Sequence, residues 1–487
     1  MRTGGSRRPV AAVIAGVLAL GLVACGGKSP GGTGGSTSPG SVDGLPVTHF
    51  SSGLKTDAPK PQLQVRNVAD DDADRVATAT IADVEAYWSQ QLPADFGMQF
   101  QPVKTLLSYD SNGPNQHSGC GDTKKLVNAF YCGKDDSVSW DRGVLLPAMI
   151  DQFGQLSVVT VLAHEFGHAV QFRLMDKAGI TRDTPTIVTE QQADCFAGGY
   201  FRWVAEGKSK YFNVSTSEGL NAALSSLFLV RDTAGDSALG EQSHGTAFDR
   251  LFAFQAGFEK GPKECAGFRL ENIKPRLTER PFDKDDKKKN ANAGDMTIDK
   301  DAIGYLQKSL DSAFQPAGVA GPKIVAQGGS CQGGPATPPA SYCPSSNTVT
   351  VDLSALAALG RPVDQQGEFS GQSKGGHGDF AAFSEIASRY ALGIQKGKGA
   401  SIDNPNAGLR TACLVGAWAA VTATTTEQGA MRLSAGDLDE AISDLLRPDS
   451  LVASDVNGKR VDAGFSRVEA MRVGYLQGSS PCSKQYG

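Results

Sequence analysis

The sequence predicts an α+β fold carried twice in one chain, with the second copy degenerate. Three observations lead there. Two stretches alternate polar and apolar residues as half-buried strands do: SVSWD, ending at Asp141, and TVTVD, ending at Asp352. Residues 155–176 (QLSVVTVLAHEFGHAVQFRLMD) contain no proline and repeat an apolar face at helical spacing. Finally, four landmarks recur in the same order in both halves of the chain.

The first landmark is a cysteine pair twelve residues apart, Cys120 and Cys132, echoed by Cys331 and Cys343. Each second cysteine follows a tyrosine, Tyr131 or Tyr342, and leads nine residues on to the aspartate that closes the alternating stretch. Further along, Cys195-Phe196-Ala197-Gly198-Gly199-Tyr200 matches Cys413-Leu414-Val415-Gly416-Ala417-Trp418. Arg250, Gly257, Gly261 and Cys265 then match Arg467, Gly474, Gly478 and Cys482 at identical spacing. The repeat sets the domain boundaries at 61–270 and 299–487. A charged linker, residues 271–298, contains the run DKDDKKKN and joins the two.

The chain has 487 residues, of which 40% are hydrophobic and 20% charged, which excludes wholesale disorder and a multi-pass membrane protein. Lys+Arg number 47 against 52 Asp+Glu, and a net charge of −5 gives no general grip on nucleic acid. At the N-terminus, Arg2, Arg7 and Arg8 precede the apolar run Val10–Ala24, too short to span a bilayer and arranged as an export signal. It ends in Leu22-Val23-Ala24-Cys25-Gly26, which resembles a bacterial lipobox. The resemblance implies that residues 1–24 are a lipoprotein signal peptide. Acylated Cys25 would then anchor the chain to the extracytoplasmic face of the cell membrane. Residues 25–60, rich in Gly, Ser and Pro, read as a flexible tether.

Eight cysteines remain after Cys25, an even set in an exported chain. The repeat gives each half one close pair and one distant pair. The simplest scheme is therefore Cys120–Cys132, Cys195–Cys265, Cys331–Cys343 and Cys413–Cys482. Loop closure would contribute about 3 kcal/mol for each short loop and about 4 for each long one.

Within the helical segment of the first half stands His164-Glu165-Phe166-Gly167-His168. Histidines at i and i+4 share one helix face and can bind one Zn²⁺, and the glutamate beside the first can take a proton from zinc-bound water. A catalytic zinc needs a third protein ligand and a fourth position left for water. Glu190 and Asp194 are also i and i+4 on a helix-forming stretch: Glu190 is assigned as the ligand and Asp194 as the carboxylate that orients a histidine. Cys195 lies about 100° round the helix from Asp194, and its counterpart Cys413 persists where Gly408 and Ala412 replace the carboxylates, so it reads as a disulfide cysteine.

HEFGHAVQ followed by EQQADCFAG resembles the neutral zinc metallopeptidase family, whose members carry HEYGHxxQ and ELQADCFAG-type segments. The likeness extends to CG…FYC at Cys120–Cys132 and SHG…R at Ser243–Arg250, covering about 80–270. With the lipobox and the second half, it is similar to LpqM-type lipoprotein peptidases. It implies a zincin-like fold, with His164, His168 and Glu190 on zinc and Glu165 as catalytic base. Phe166 stands where Tyr is common, and Gln191 where Leu is common.

The second half cannot repeat this chemistry. Matching Ala163, Phe166 and Gln171 to Ala387, Tyr390 and Gln395 sets Ser388, Arg389 and Leu392 opposite the motif. Counting back from Cys413 sets Ala382, Phe383 and Ile386 there instead. Either way no second zinc motif exists, and this half reads as a pseudo-peptidase domain that braces the first, shapes a cleft or binds a partner protein. His244, in Gln242-Ser243-His244-Gly245-Thr246, is a candidate for stabilising an oxyanion beside the metal. The expected function is a membrane-anchored zinc peptidase acting on a protein or peptide substrate. A non-catalytic envelope scaffold with structural or vestigial zinc, and an amidase acting on peptidoglycan, are the alternatives.

Overall fold

The computed structural model describes residues 38–241, 243–282, 295–365, 367, 373–425 and 430–487. The signal segment, Cys25, the first part of the tether and residues 283–294 of the linker lie outside these.

The first half opens with strands β1 (Ser41–Val42), β2 (Leu45–Pro46), β3 (Gly53–Leu54) and β4 (Val65–Arg66). The expectation of a tether to residue 60 is thereby corrected from Ser41 onward. Asp43 and Gly44 both have positive φ (44° and 79°), the signature of a tight hairpin turn that Asp-Gly favours, and they fold β1 onto β2. Val42 is fully buried, Thr48 exchanges hydrogen bonds with Thr216, and β3 pairs with residues 212–213. Gly and Ser here serve turns and caps, so their abundance signals structure as well as slack.

Helix α1 (Asp72–Phe96) follows, capped by Asp71, whose carboxylate accepts the Asp74 N–H. Then come β5 (Thr105–Tyr109), the small hairpin β6 (His117–Ser118) and β7 (Gly121–Asp122), and the longer one β8 (Ala129–Cys132) and β9 (Ser137–Asp141). A four-stranded sheet runs β4-β5-β9-β8, parallel except for β8, which pairs antiparallel with β9 and forms one edge. The alternation read over SVSWD is that of β9, but all five of its residues are buried, because the strand lies inside the sheet.

The helical layer comprises α2 (Leu145–Phe153), α3 (Gln155–Leu174), α4 (Thr186–Ala205), α5 (Glu218–Leu229), α6 (Ala247–Lys260), α7 (Pro262–Cys265) and α8 (Leu270–Ile273). A short strand β10 (Phe212–Asn213) between α4 and α5 is the partner of β3. In α3, Leu156, Val159, Ala163, Phe166, Val170 and Leu174 recur at three- and four-residue steps and all are buried. The linker also starts later than expected: Arg276 donates to Gln191 and lies over the Phe252 ring, and the Thr278 N–H bonds Asp249. These contacts fasten residues 271–278 to the first half.

The second half repeats this order of elements: α9 (Lys300–Phe314), β11 (Lys323–Val325), the hairpin β12 (Ala340–Cys343) and β13 (Thr348–Val351), α10 (Leu353–Leu359), α11 (Asp379–Gly397), α12 (Pro405–Thr424), α13 (Asp437–Leu446), α14 (Gly464–Gln477) and α15 (Ser480–Gln485). β11 is parallel to β13 and β12 antiparallel to it, as β5 and β8 are to β9. All four disulfides of the simplest scheme are formed.

The recurring glycines mark helix crossings at backbone contact. A Cβ on Gly198 of α4 would stand 1.9 Å from the Phe254 carbonyl of α6, and one on Gly257 would stand 1.7 Å from the Cys195 carbonyl. At α12 and α14, Gly416 and Gly474 meet the Met471 and Cys413 carbonyls in the same way, at 2.0 and 1.8 Å. The halves also share packing. Phe248 and Phe258 of α6 pack on Tyr475 and Phe465 of α14, and Gln255 donates to the Phe465 carbonyl.

Replacing Gly198 or Gly416 with alanine should therefore cost about 4 kcal/mol or prevent folding. Gly304→Ala, in α9 with nothing near its Cβ position, should stabilise by up to about 1 kcal/mol. Urea unfolding of the three variants checks both directions.

Candidate metal centre

His164 and His168 project from one face of α3, their rings 4.9 Å apart and perpendicular. Gly167, on the turn that separates them, lets α4 approach: a Cβ there would lie 2.9 Å from the Ala193 Cα. That approach brings Glu190 of α4 to the two imidazoles. His164 Nε2 is 3.1 Å from Glu190 Oε2, and His168 Nε2 is 3.4 Å from Glu190 Oε1. His164 and Glu190 are buried, and His168 is partly so.

Both rings are held from behind. His164 Nδ1 lies 2.7 Å from Asp194 Oδ1, and Asp194 is fully buried. Arg250 of α6 clamps that carboxylate through Nε and Nη2, each at 2.9 Å, and sends Nη1 to the Val230 carbonyl. His168 Nδ1 lies 2.9 Å from Gln171 Oε1, whose amide donates to the Thr189 carbonyl and to Gln192. An ionised carboxylate and an amide oxygen can only accept, so each Nδ1 carries a proton and each Nε2 is left to hold a second proton or a metal ion against Glu190. Glu165 stands beside this cluster, with its carboxylate accepting the Tyr131 N–H of edge strand β8 at 2.9 Å.

The electrostatics of these groups favour positive charge between them. Burial opposes protonation of His164, but the Asp194 and Glu190 carboxylates together outweigh it and hold its pKa up to about 10. Burial likewise opposes protonation of His168, which Glu190 raises. Burial would raise Glu190, yet the two imidazoles hold it well below the usual carboxylate range. The site calls for positive charge at its centre. His164 Nε2 and Glu190 Oε2 stand 3.1 Å apart, and the pair needs positive charge between them, either a proton on Nε2 or a metal ion bound to its lone pair. A divalent cation meets that need at both imidazoles at once. Donor atoms around a tetrahedral zinc at about 2.0–2.1 Å stand about 3.3–3.4 Å apart. The observed separations of 3.1 and 3.4 Å fit such an ion.

Of the residues singled out in the sequence, His164, His168, Glu165, Glu190 and Asp194 come together. His244 does not join their hydrogen bonds: it is half exposed, and its N–H and Nδ1 face Asp232 at 2.7 and 3.3 Å. Its neighbour Gly245 does lie against Ile187 and Gln191 of α4. Two supporting residues escape a sequence reading centred on ligands. Gln171 was visible in principle, as a polar residue three positions after His168 on the same face. Arg250, 56 residues from Asp194, was marked only by its place in the repeat and in the SHG…R segment, neither of which says that it pairs with Asp194.

In the second half Gln395 donates to the Ala407 carbonyl as Gln171 does to the Thr189 carbonyl, and Arg410 donates to Gln395 where Gln171 donates to Gln192. These bonds favour the alignment that sets Ser388, Arg389 and Leu392 opposite His164, Glu165 and His168. Arg389 there donates to the carbonyls of Leu451, Ser454 and Asp455. A Cβ on Gly408, opposite Glu190, would stand 2.6 Å from the Ala453 carbonyl. Backbone fills the volume that the carboxylate occupies in the first half.

Residues 40–268 match the family model described as "Putative neutral zinc metallopeptidase". The chain is 27% identical over 243 residues to "Uncharacterized protein YpfJ" of Escherichia coli strain K12, covering 45% of this chain and 80% of that protein. The protein of the same name from Escherichia coli O6:H1 matches to the same extent. No solved structure matches this chain. The matched segment contains every residue of the cluster, Arg250 included, and ends before the second half.

Asp194→Asn is expected to weaken zinc binding 10–100-fold in chelator competition. It should also lower the melting temperature, because the buried Arg250 loses its counter-charge. Gln171→Leu disturbs no charge and should show about a 10-fold loss of affinity alone.

Proposed function

We propose that this chain is a zinc-dependent peptidase, hydrolysing protein or peptide bonds, and that its second half is a degenerate tandem copy of the same zincin-like fold. The observation that carries this reading is the convergence of two imidazole Nε2 atoms on one buried carboxylate, with Glu165 beside them. The family match over residues 40–268 supports it independently. His164, His168 and Glu190 would hold the metal, which when bound supplies a Lewis acid for the scissile carbonyl and lowers the pKa of a water molecule.

The chain's own residues do the rest. Glu165 accepts the proton of the attacking water and passes it to the leaving amine. The Tyr131 N–H keeps the Glu165 carboxylate turned toward that position. Because Tyr131 lies on edge strand β8, an extended peptide added to that edge would bring its carbonyl to Glu165. Asp194, fixed by Arg250, and Gln171 keep the histidines in the tautomer that presents Nε2. His244, oriented by Asp232 on the loop that touches α4, is the candidate to steady negative charge on the attacked carbonyl.

The apolar run ending at Cys25 supports anchoring by acylation at the extracytoplasmic face of the cell membrane. In the second half, the backbone packed around Arg389 and Gly408 favours a bracing role over catalysis.

Glu165→Gln should retain one zinc per chain and lower kcat on a mixed peptide library by about 10²–10⁴-fold. Equal cleavage by both proteins would refute the peptidase reading. His244→Ala should lower kcat by about 10²-fold with KM unchanged. A change confined to KM would remove His244 from the chemistry and leave it a binding residue.

A further inference from the structure

A second cluster of candidate ligands lies in the other half of the chain and has nothing to do with the histidines. Asp295, Asp379 and Glu440 each turn one carboxylate oxygen to a common point, all within 4.8 Å of one another. Asp379 opens helix α11 and Glu440 lies in the first turn of α13, so two helix ends meet there. Asp437, also in the first turn of α13, adds a fourth buried carboxylate beside them.

Four of the eight carboxylate oxygens accept hydrogen bonds from N–H or hydroxyl groups. Asp379 Oδ2 accepts the Met296 N–H at 2.7 Å, Glu440 Oε2 accepts the Phe380 N–H at 2.9 Å, and Asp437 takes the N–H and hydroxyl of Ser434. Asp379 Oδ1 is buried and accepts no N–H or hydroxyl, on a residue only 4% exposed, and the Asp379 carboxyl faces that of Glu440 within hydrogen-bonding reach. A buried carboxylate oxygen left bare among like charges is costly, and it needs either a shared proton or a cation. The chain also comes edge-on to the cluster, since a Cβ at Gly378 would stand 1.9 Å from the Glu440 carboxyl carbon.

We infer that Asp295, Asp379 and Glu440 form a binding site for a hard divalent cation of the calcium class. One shared proton satisfies a single pair of carboxylates, whereas three converging oxygens with a fourth carboxylate alongside are what a cation of two charges requires. The donor set is all oxygen, with no histidine or cysteine, which suits calcium or magnesium and disfavours zinc. Magnesium retains its waters and seldom takes an all-protein cage, while calcium accepts several carboxylates at 2.3–2.6 Å. Arg280 and the positive ends of α11 and α13 offset part of the negative charge and leave the remainder to the ion. The ion would fasten the start of the second half, at Asp295 and Met296, to α11 and α13.

The test uses the full chain, stripped of metal, reloaded with one equivalent of zinc and titrated calorimetrically with calcium alone. One calcium per chain is expected, with a higher melting temperature on binding. Asp295→Asn should weaken calcium binding by roughly 10-fold and Glu440→Gln by roughly 100-fold, with zinc content unchanged in both. No calcium uptake by the wild type up to about 10 mM would overturn the inference in favour of shared protons. Equal affinity in the wild type and both variants would overturn it as binding elsewhere. Should Glu440→Gln not fold, Asp295→Asn, at a partly exposed position outside any helix, carries the test. Zinc content and cleavage report on the peptidase reading separately, so either proposal can fail without the other.

Discussion

Three helices crossing at backbone contact hold the candidate centre together. α3 meets α4 at Gly167, and α4 meets α6 at Gly198 and Gly257, positions where a single methyl group would collide with main-chain atoms. Because α4 lies so close to α3, Glu190 reaches both imidazoles and Asp194 reaches His164. Because α6 lies so close to α4, Arg250 reaches Asp194 with a two-pronged, fully buried pair. A buried ion pair gives little net stability, since desolvating two charges cancels most of their attraction. Its value here is directional: it keeps Asp194 ionised and stationary, which fixes the His164 tautomer. The disulfide Cys195–Cys265 then ties α4, at the residue after Asp194, to the end of α7 beyond α6.

The two halves use the same helix crossing for different ends. In the second half Gly416 and Gly474 preserve the contact between α12 and α14, and Cys413–Cys482 preserves the tie. Yet Arg467, in the position of Arg250, finds the carbonyls of Leu445, Val461 and Asp462 instead of a carboxylate. Arg389 likewise satisfies itself on carbonyls of the 451–455 segment. An arginine surrounded by carbonyl oxygens needs no metal and leaves no cavity for one. The free face of this half is spent on its neighbour: α14 packs along α6, and Asp439 of α13 accepts the Phe248 N–H at the start of the helix that carries Arg250. A half without the zinc-motif histidines thus supports the helix that orients one of them.

The match between sequence and structure was uneven for identifiable reasons. Strand alternation, the helix over 155–174 and the cysteine pairing were legible because each depends on short, regular spacing. From Ser41 onward glycine and serine serve turns, which their abundance does not distinguish from slack; the Asp43-Gly44 pair is the local signal of the first hairpin. The start of the charged linker is not legible in the sequence because Arg276 and Thr278 look solvent-loving, and their burial comes from Gln191, Phe252 and Asp249 far away in the chain.

What the sequence determined by itself was the chemistry on offer: two histidines and two carboxylates at one-turn spacing on separate helices, a glutamate beside the first histidine, and a second half without these groups. Helical periodicity is local, so it fixes which side chains share a face. Only the tertiary structure decided that the two faces meet, that Arg250 and Gln171 stand behind the rings, that His244 turns to Asp232, and that backbone fills the corresponding space around Arg389. Those outcomes depend on how closely one helix can approach another, and that distance is set by contacts between residues tens of positions apart, which no local pattern encodes.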